Sequence, residues 1–443
     1  MKHVIIGGVA AGMSAASKIK RMQKDAIVHV YEKGGFLSYG ACGLCYYVAG
    51  YNDDHKKMIA RTRAEFEAQG IETYMHCEVT DVDVQNKVVT ARNLDTGEVV
   101  RDTYDKLMIA TGAHSVKPPI LGIEKKGTYT LKTMEDGLCL KEQIGGYGIN
   151  DVVIIGGGYI GVEMAEAMHA LKKRVVVLET ADRILTSFDT EIAELAAREI
   201  KSKGIEIKTG EKVVALKGCG SVNAVETESG QYVADAVLVA AGVKPSTDFL
   251  KNTGIAMEKN GAVIVDRQMR TSIPDIYSAG DCAVVYDCIK QKNVYLSLGT
   301  VANKCGRIAG GNMAGSSEEY VGALSSAALK VFDLQLGRTG IGEKDARELG
   351  LNYGTVFVEA RNHPAYYPDS QPLYVKVIYE RPSLKLLGAQ LCGKDGAALR
   401  TDIFAVAIHA GMTTRELGMA DLIYSPPYAG VWDAVHIACN AAK

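Results

Sequence analysis

The sequence predicts an α/β chain, on three observations. An apolar strand, a glycine turn and a helix open the chain at residues 3–22, and the same order returns at 152–170. Each unit runs on into a second apolar strand that ends in an acid, Glu32 or Glu179, 25 and 23 residues after the first glycine of its turn. Two such units predict two Rossmann-like dinucleotide-binding domains with parallel sheets.

The first unit reads as a strand at 3–6, a helix over about 12–22 and a strand at 27–31 closed by Glu32. Gly7, Gly8, Ala11 and Gly12 are small enough to let the backbone approach a pyrophosphate at the helix N-terminus, and Glu32 is placed to hold a ribose hydroxyl. Val9 stands where the middle glycine of GxGxxG falls. The second unit has the full set, Gly156, Gly158 and Gly161, with Tyr159 and Ile160 between the last two. Glu179 should bond a free 2′-hydroxyl and repel a 2′-phosphate, which favours NADH; Arg174 and Arg183 nearby keep NADPH open.

Each unit has a later echo, Thr111-Gly112 after the strand 107–110 and Gly242 after the strand 238–241. A further apolar strand ends in Gly280-Asp281, where a carboxylate can accept a hydrogen bond from a polyol such as the ribityl chain of a flavin. Two dinucleotide sites in one chain imply electron traffic between two cofactors.

Composition narrows the partners. At 443 residues the chain should hold two to four domains, and 50 Lys plus Arg against 52 Asp plus Glu leave a net charge of -2. That balance argues against bulk nucleic-acid or anionic-membrane binding. No uninterrupted apolar run reaches the roughly 18 residues of a membrane span. The opening segment has an early Lys and an apolar run, but its glycines sit where a strand turns into a helix, so it reads as mature protein of a cytoplasmic chain. The ten cysteines lack the spacing of a secreted scaffold and are expected to be mostly reduced, buried and inert. Cys42 and Cys45 form the one close pair, and with no second pair or nearby His to complete a metal site their CxxC spacing suggests redox chemistry.

The two fingerprints, the Ala110-Thr111-Gly112 and Ala279-Gly280-Asp281 turns, and a cysteine shortly after Glu32 resemble the flavin-dependent pyridine nucleotide-disulfide oxidoreductases over essentially the whole chain. The resemblance implies FAD on the first fingerprint, NAD(P)H on the second, and a C-terminal α+β domain that forms a homodimer. By the same analogy residues 1–115 and 246–325 form the FAD domain, 116–245 the nicotinamide domain and 326–443 the dimerisation domain. Cys42 has no partner cysteine five residues on, and Gly411 stands where the two-cysteine enzymes carry a catalytic His. The chain therefore resembles the single-cysteine branch of coenzyme A disulfide reductases, persulfide reductases, NADH oxidases and NADH peroxidases. Residues 7–16 and the Ser38–Gly43 stretch are most similar to the first of these.

That resemblance makes Cys42 the redox-active nucleophile, served by tyrosines of a neighbouring subunit. The matching positions are Tyr424 and Tyr366, with Tyr367 as the alternative register. Tyr159 should shield the flavin face, and Lys18, Arg21 and Arg61 should meet the phosphates of coenzyme A. A helix N-terminus is expected to favour the Cys42 thiolate. Cys45 departs from the branch, where proline is usual, and has two readings: a resolving thiol on the same helix face as Cys42, or a small buried side chain. The implied reaction is reduction of a coenzyme A disulfide or persulfide. The alternatives are an NADH oxidase or peroxidase cycling through a Cys42 sulfenic acid, and a low-turnover flavin redox sensor.

Overall fold

The computed structural model describes residues 1–146 and 148–443. The chain divides into two compact units. One comprises Met1–Val116, Thr130–Gly145 and Gly242–Ala323, and the other Lys117–Tyr129, Gly146–Ala241 and Leu324–Lys443.

The first unit is built on a five-stranded sheet in the order Ile276–Ser278, Lys106–Ile109, Lys2–Ile6, Ile27–Tyr31, Ile71–Tyr74. Every pairing is parallel. Its strands are near-continuous apolar runs because both faces are covered, and Val4, Ile5, Leu107, Met108 and Ile109 are fully buried. The helix Ala10–Met22 buries Ala11, Met13, Ala15, Ala16 and Ile19. It lies unusually close to the helix Gly299–Met313: a Cβ on Gly306 would come within 2.3 Å of the Ala11 carbonyl oxygen. Small residues on both helices are what permit that approach.

Beside this sheet lies an antiparallel meander, Cys77–Asp83, Val88–Asn93 and Val99–Thr103. Asp102 of its last strand ties it to the parallel sheet by accepting from Tyr31 Oη at 2.9 Å, with His29 Nδ1 at 2.7 Å and Lys2 Nζ also on the carboxylate.

The second unit repeats the scheme. Its parallel sheet runs Glu206–Thr209, Arg174–Glu179, Asp151–Ile155, Ala236–Val239, Thr128–Tyr129, again with a three-stranded meander, Val213–Lys217, Ala224–Thr227 and Gln231–Val233. A five-stranded antiparallel sheet follows, in the order Ala327–Val331, Leu334–Gly340, Leu386–Gly393, Pro372–Glu380, Tyr353–Arg361, with the helix Ala397–His409 packed on it. This is the α+β domain expected from the sequence. Among the described residues no helix is long and apolar enough to cross a membrane.

Candidate active site

Both fingerprint turns are shaped by backbone contacts. Gly7 has φ +105° and Gly156 φ +108°, and a Cβ on either would lie 2.2 or 2.4 Å from the carbonyl oxygen of Ala110 or Ala240, at the end of the neighbouring strand. Only glycine fits both the dihedral and the gap. The position of Val9 differs in kind. Its counterpart Gly158 has φ -77° and no heavy atom within 4 Å of an added Cβ. The protein itself does not require glycine there, and Val9 holds its place at φ -101°.

The two acids make matching contacts. Glu32 accepts from Gly8 N at 2.6 Å and from Gly34 N at 2.7 Å; Glu179 accepts from Gly157 N at 2.7 Å and from Ala181 N at 2.8 Å. Each carboxylate thus rests on its own glycine turn, at the edge where a ribose would lie. Burial pushes the Glu32 carboxyl up, opposed by the two backbone N–H groups.

Around the first turn, Thr111 Oγ1 is buried with no hydrogen-bond partner among the described residues. The echoes meet: Ser246 N donates to Gly112 O at 3.0 Å and Val116 N to Gly242 O at 2.9 Å. Gly280, at φ +88°, brings a Cβ position to 3.1 Å from Ala11 Cβ. Asp281 accepts from Lys132 Nζ at 2.7 Å, an ion pair spanning 149 residues. A glycine cradle, an acid over the turn, a buried hydroxyl in want of a partner and a paired carboxylate fit FAD.

The cysteine stretch is fastened directly to this cradle. Ser38 N donates to Gly8 O at 3.0 Å, Ala60 N to Ser38 O at 2.8 Å and Gly40 N to Met58 O at 2.9 Å. Leu37 packs over Gly8, where a Cβ would meet its Cδ2 at 2.3 Å. Ser38 itself holds φ +48°, a left-handed conformation uncommon for a side-chain-bearing residue and often kept at functional sites. The expected single helix over both cysteines is divided: Cys42 lies in the 3₁₀ turn Ala41–Gly43 and Cys45 in the five-residue helix Leu44–Val48. Cys42 is exposed and Cys45 buried. Tyr47 is buried under Lys141, whose Nζ lies 4.4 Å from its ring centroid, so it packs the stretch rather than facing a ligand.

Of the other thiols, Cys282, Cys305, Cys392 and Cys439 are buried, and burial pushes the last three up to about 12, which makes them inert at neutral pH. Cys139 and Cys219 are exposed, against the expectation of burial.

The basic residues sort into two groups. Arg61 donates to Ser17 Oγ at 3.1 Å with its guanidinium 4.2 Å from the Phe66 centroid, which seats it against the first helix at the residue before Lys18 and one helical turn before the exposed Arg21. Lys18 lies 3.5 Å from Glu318. Lys20 instead closes its own helix end on Lys24 O and Ala26 O, and Arg63 bonds Glu67 and Thr73 O.

In the second unit Tyr159 opens the helix Tyr159–Ala170 with its ring 5.9 Å from that of Phe188, and burial raises its hydroxyl. Ile160 is part-buried in the same turn. Arg174 sits at the far end of its strand from Glu179 and is bound to Asp151 by two hydrogen bonds of 2.5 Å. Arg183 makes a looser contact with Asp182 at 3.3 Å. The tyrosines converge as a pair: Tyr366 Oη lies 3.4 Å from Tyr424 Oη, while Tyr367 turns its ring onto His363 at 5.4 Å. Nothing local in the sequence marks Lys132, the buried Lys376 or the part-buried Arg400, since each works through partners far along the chain.

Two dinucleotide folds, one bearing an adjoining exposed thiol, define an oxidoreductase that moves electrons between a pyridine nucleotide and a flavin. Residues 1–305 match the pyridine nucleotide-disulphide oxidoreductase family and residues 326–435 its dimerisation domain. The chain belongs to this FAD- and NAD(P)H-dependent family. It is 35% identical over 443 residues to an NAD(P)H coenzyme A polysulfide/persulfide reductase of Pyrococcus horikoshii, covering 100% of this chain and 98% of the relative. It is 30% identical over 445 residues to an NADH oxidase of Enterococcus faecalis, covering 100% and 99%. The crystal structure of reduced Bacillus anthracis CoADR-RHD superposes with a TM-score of 0.96 at 32% identity, over 99% of this chain and 79% of that one.

Proposed function

We propose that the protein is an NADH-dependent coenzyme A disulfide or persulfide reductase, working in the cytoplasm as a homodimer, with Cys42 as its nucleophile. The observation that carries this reading is the exposed Cys42 on a turn hydrogen-bonded, through Ser38 and Gly40, to the flavin cradle and its flank. Bound FAD supplies the two-electron relay between NAD(P)H and a disulfide.

The chain's residues account for the rest. Two electrons and a proton open a Cys42–S–S–coenzyme A bond to give the Cys42 thiolate and coenzyme A thiol. The thiolate attacks an incoming disulfide R–S–S–R′, forming Cys42–S–S–R and releasing R′–S⁻. Tyr366 and Tyr424 of a second copy of the chain give that thiolate its proton, and solvent restores theirs. Lys18, Arg21 and Arg61 bind the substrate's phosphates. In this reading residues 1–115 and 246–325 hold FAD, 116–245 the nicotinamide and 326–443 the dimer contact.

Cys45 is read as a resolving thiol that displaces coenzyme A from Cys42 to give a Cys42–Cys45 disulfide. On oxidation with coenzyme A disulfide the native protein should lose two thiols and retain no coenzyme A; a loss of one thiol with one coenzyme A held covalently would remove that step. A second reading, an NADH oxidase or peroxidase with a Cys42 sulfenic acid, is favoured by the likeness to the Enterococcus enzyme. Comparing NADH-driven rates on coenzyme A disulfide, coenzyme A persulfide, oxygen and hydrogen peroxide separates them. Sulfur substrates should turn over fastest, and faster oxygen or peroxide consumption would replace the first reading with the second.

A further inference from the structure

Tyr366 and Tyr424 are exposed side chains on two different loops, and nothing in either loop's own sequence explains how their hydroxyls come to lie 3.4 Å apart. The link lies beneath them. Arg400, on the helix Ala397–His409, has a side chain only 12% exposed, and its Nη2 donates at 2.8 Å to two carbonyls at once: Asn362 O, at the base of the Tyr366 loop, and Tyr428 O, in the turn that follows Tyr424. Its Nε donates to both oxygens of the buried Asp433, at 2.9 and 3.2 Å, so the guanidinium is held in one orientation.

The two loops are stiff where Arg400 grips them. Asn362, 2% exposed, accepts from His363 N at 3.0 Å and Gln371 N at 2.8 Å, closing the neck of the Tyr366 loop. Ser425 O accepts from Tyr428 N at 2.9 Å and Ala429 N at 3.0 Å, closing the turn beside Tyr424. A planar fork with fixed donor directions can bridge two rigid carbonyls and a carboxylate together, whereas an ammonium on a flexible stem cannot hold all three.

We propose that Arg400, oriented by Asp433, is the positioning residue of the tyrosine pair, setting the gap between two hydroxyls that it never touches. The proposal rests on the reading of Tyr366 and Tyr424 as proton donors. In that reading a hydroxyl passes its proton to the departing thiolate, R–S⁻ plus Tyr–OH giving R–SH plus Tyr–O⁻. A donor displaced by about 1 Å loses much of its effect.

The test uses the FAD-loaded enzyme with coenzyme A disulfide and NADH. Arg400→Lys keeps the charge beside Asp433 but loses the bridge, and should lower disulfide-dependent kcat about tenfold and move the alkaline limb of its pH profile. The rate of flavin reduction by NADH in a single turnover should stay within about twofold, since no atom of that step is involved. Asp433→Asn is the second variant: it retains the oxygen that accepts from Val435 N at 2.9 Å and should give the same signature if Arg400→Lys fails to fold.

In a Tyr366→Phe/Tyr424→Phe background, Arg400→Lys should cause no further loss, because it acts only through the hydroxyls. An equal loss in that background, or an unchanged kcat and pH profile in the native one, would overturn the proposal. If the double tyrosine variant itself turns over normally, the reading of the tyrosines as donors fails instead, and the two failures are distinguished.

Discussion

The hydroxyls of Tyr366 and Tyr424 lie 3.4 Å apart, although 58 residues separate the two in the chain. Their contact raises the Tyr366 pKa, because the hydrogen bond to Tyr424 holds the Tyr366 proton. Removing that hydroxyl with Tyr424→Phe should therefore let Tyr366 ionise at a lower pH. The alkaline limb of disulfide-dependent kcat should move to lower pH, with a fall in rate of about tenfold at the optimum. A pH–rate profile checks this, and a limb that stays in place would contradict it.

Glu179 and Arg174 occupy opposite ends of one strand, and Arg174 is engaged by Asp151. Glu179, with its two backbone N–H donors, and the loosely held Arg183 are then the charged side chains expected to discriminate at the ribose edge. NADH should exceed NADPH in kcat/KM by about tenfold or more, roughly 1.4 kcal/mol per decade. Glu179→Ala should narrow that ratio by raising activity with NADPH relative to NADH. Steady-state kinetics with both nucleotides provide the measurement.

Lys376 is buried at 1% exposure among three carboxylates, 2.6 Å from Glu191, 3.6 Å from Asp189 and bonded to Glu343. Lys376→Met would leave Asp189, itself buried, without its cation and Glu343 with only the more exposed Arg347, and should destabilise the protein by about 3 kcal/mol. Burial alone would lower the lysine's pKa, but the bonds to Glu191 and Glu343 outweigh it and raise the value. A raised lysine pKa contributes stability that is complete below the ordinary lysine range and is lost only as the pH climbs through the folded value. The difference in thermal midpoint between Lys376→Met and the native chain should thus hold across neutral pH and shrink only in strong alkali.

Much of the fold was legible because its signals are local. Glycine turns at Gly7 and Gly156, continuous apolar strands and acids at fixed distances each depend on a few neighbouring residues, and the two parallel sheets follow from them. The candidate site was legible where it lies on those turns, at Glu32, Glu179 and the Ser38–Gly43 stretch. The rest depends on pairings across the fold. Lys132 meets Asp281, Arg400 meets Asp433 and Lys376 meets Asp189, and in a sequence each of these is an ordinary charged residue. The division of Cys42 and Cys45 between a 3₁₀ turn and a short helix was hidden for a similar reason: the bonds that pin residues 38–43 come from Gly8 and Met58, outside the stretch.

The central claim is that Cys42 carries the chemistry. The most direct measurement is NADH-driven turnover of coenzyme A disulfide by Cys42→Ser, alongside its flavin content. A hydroxyl in place of the thiol cannot form the mixed disulfide, so turnover should fall by at least about a thousandfold while FAD stays bound and is still reduced by NADH. A variant that keeps both its flavin and its disulfide turnover would contradict the account.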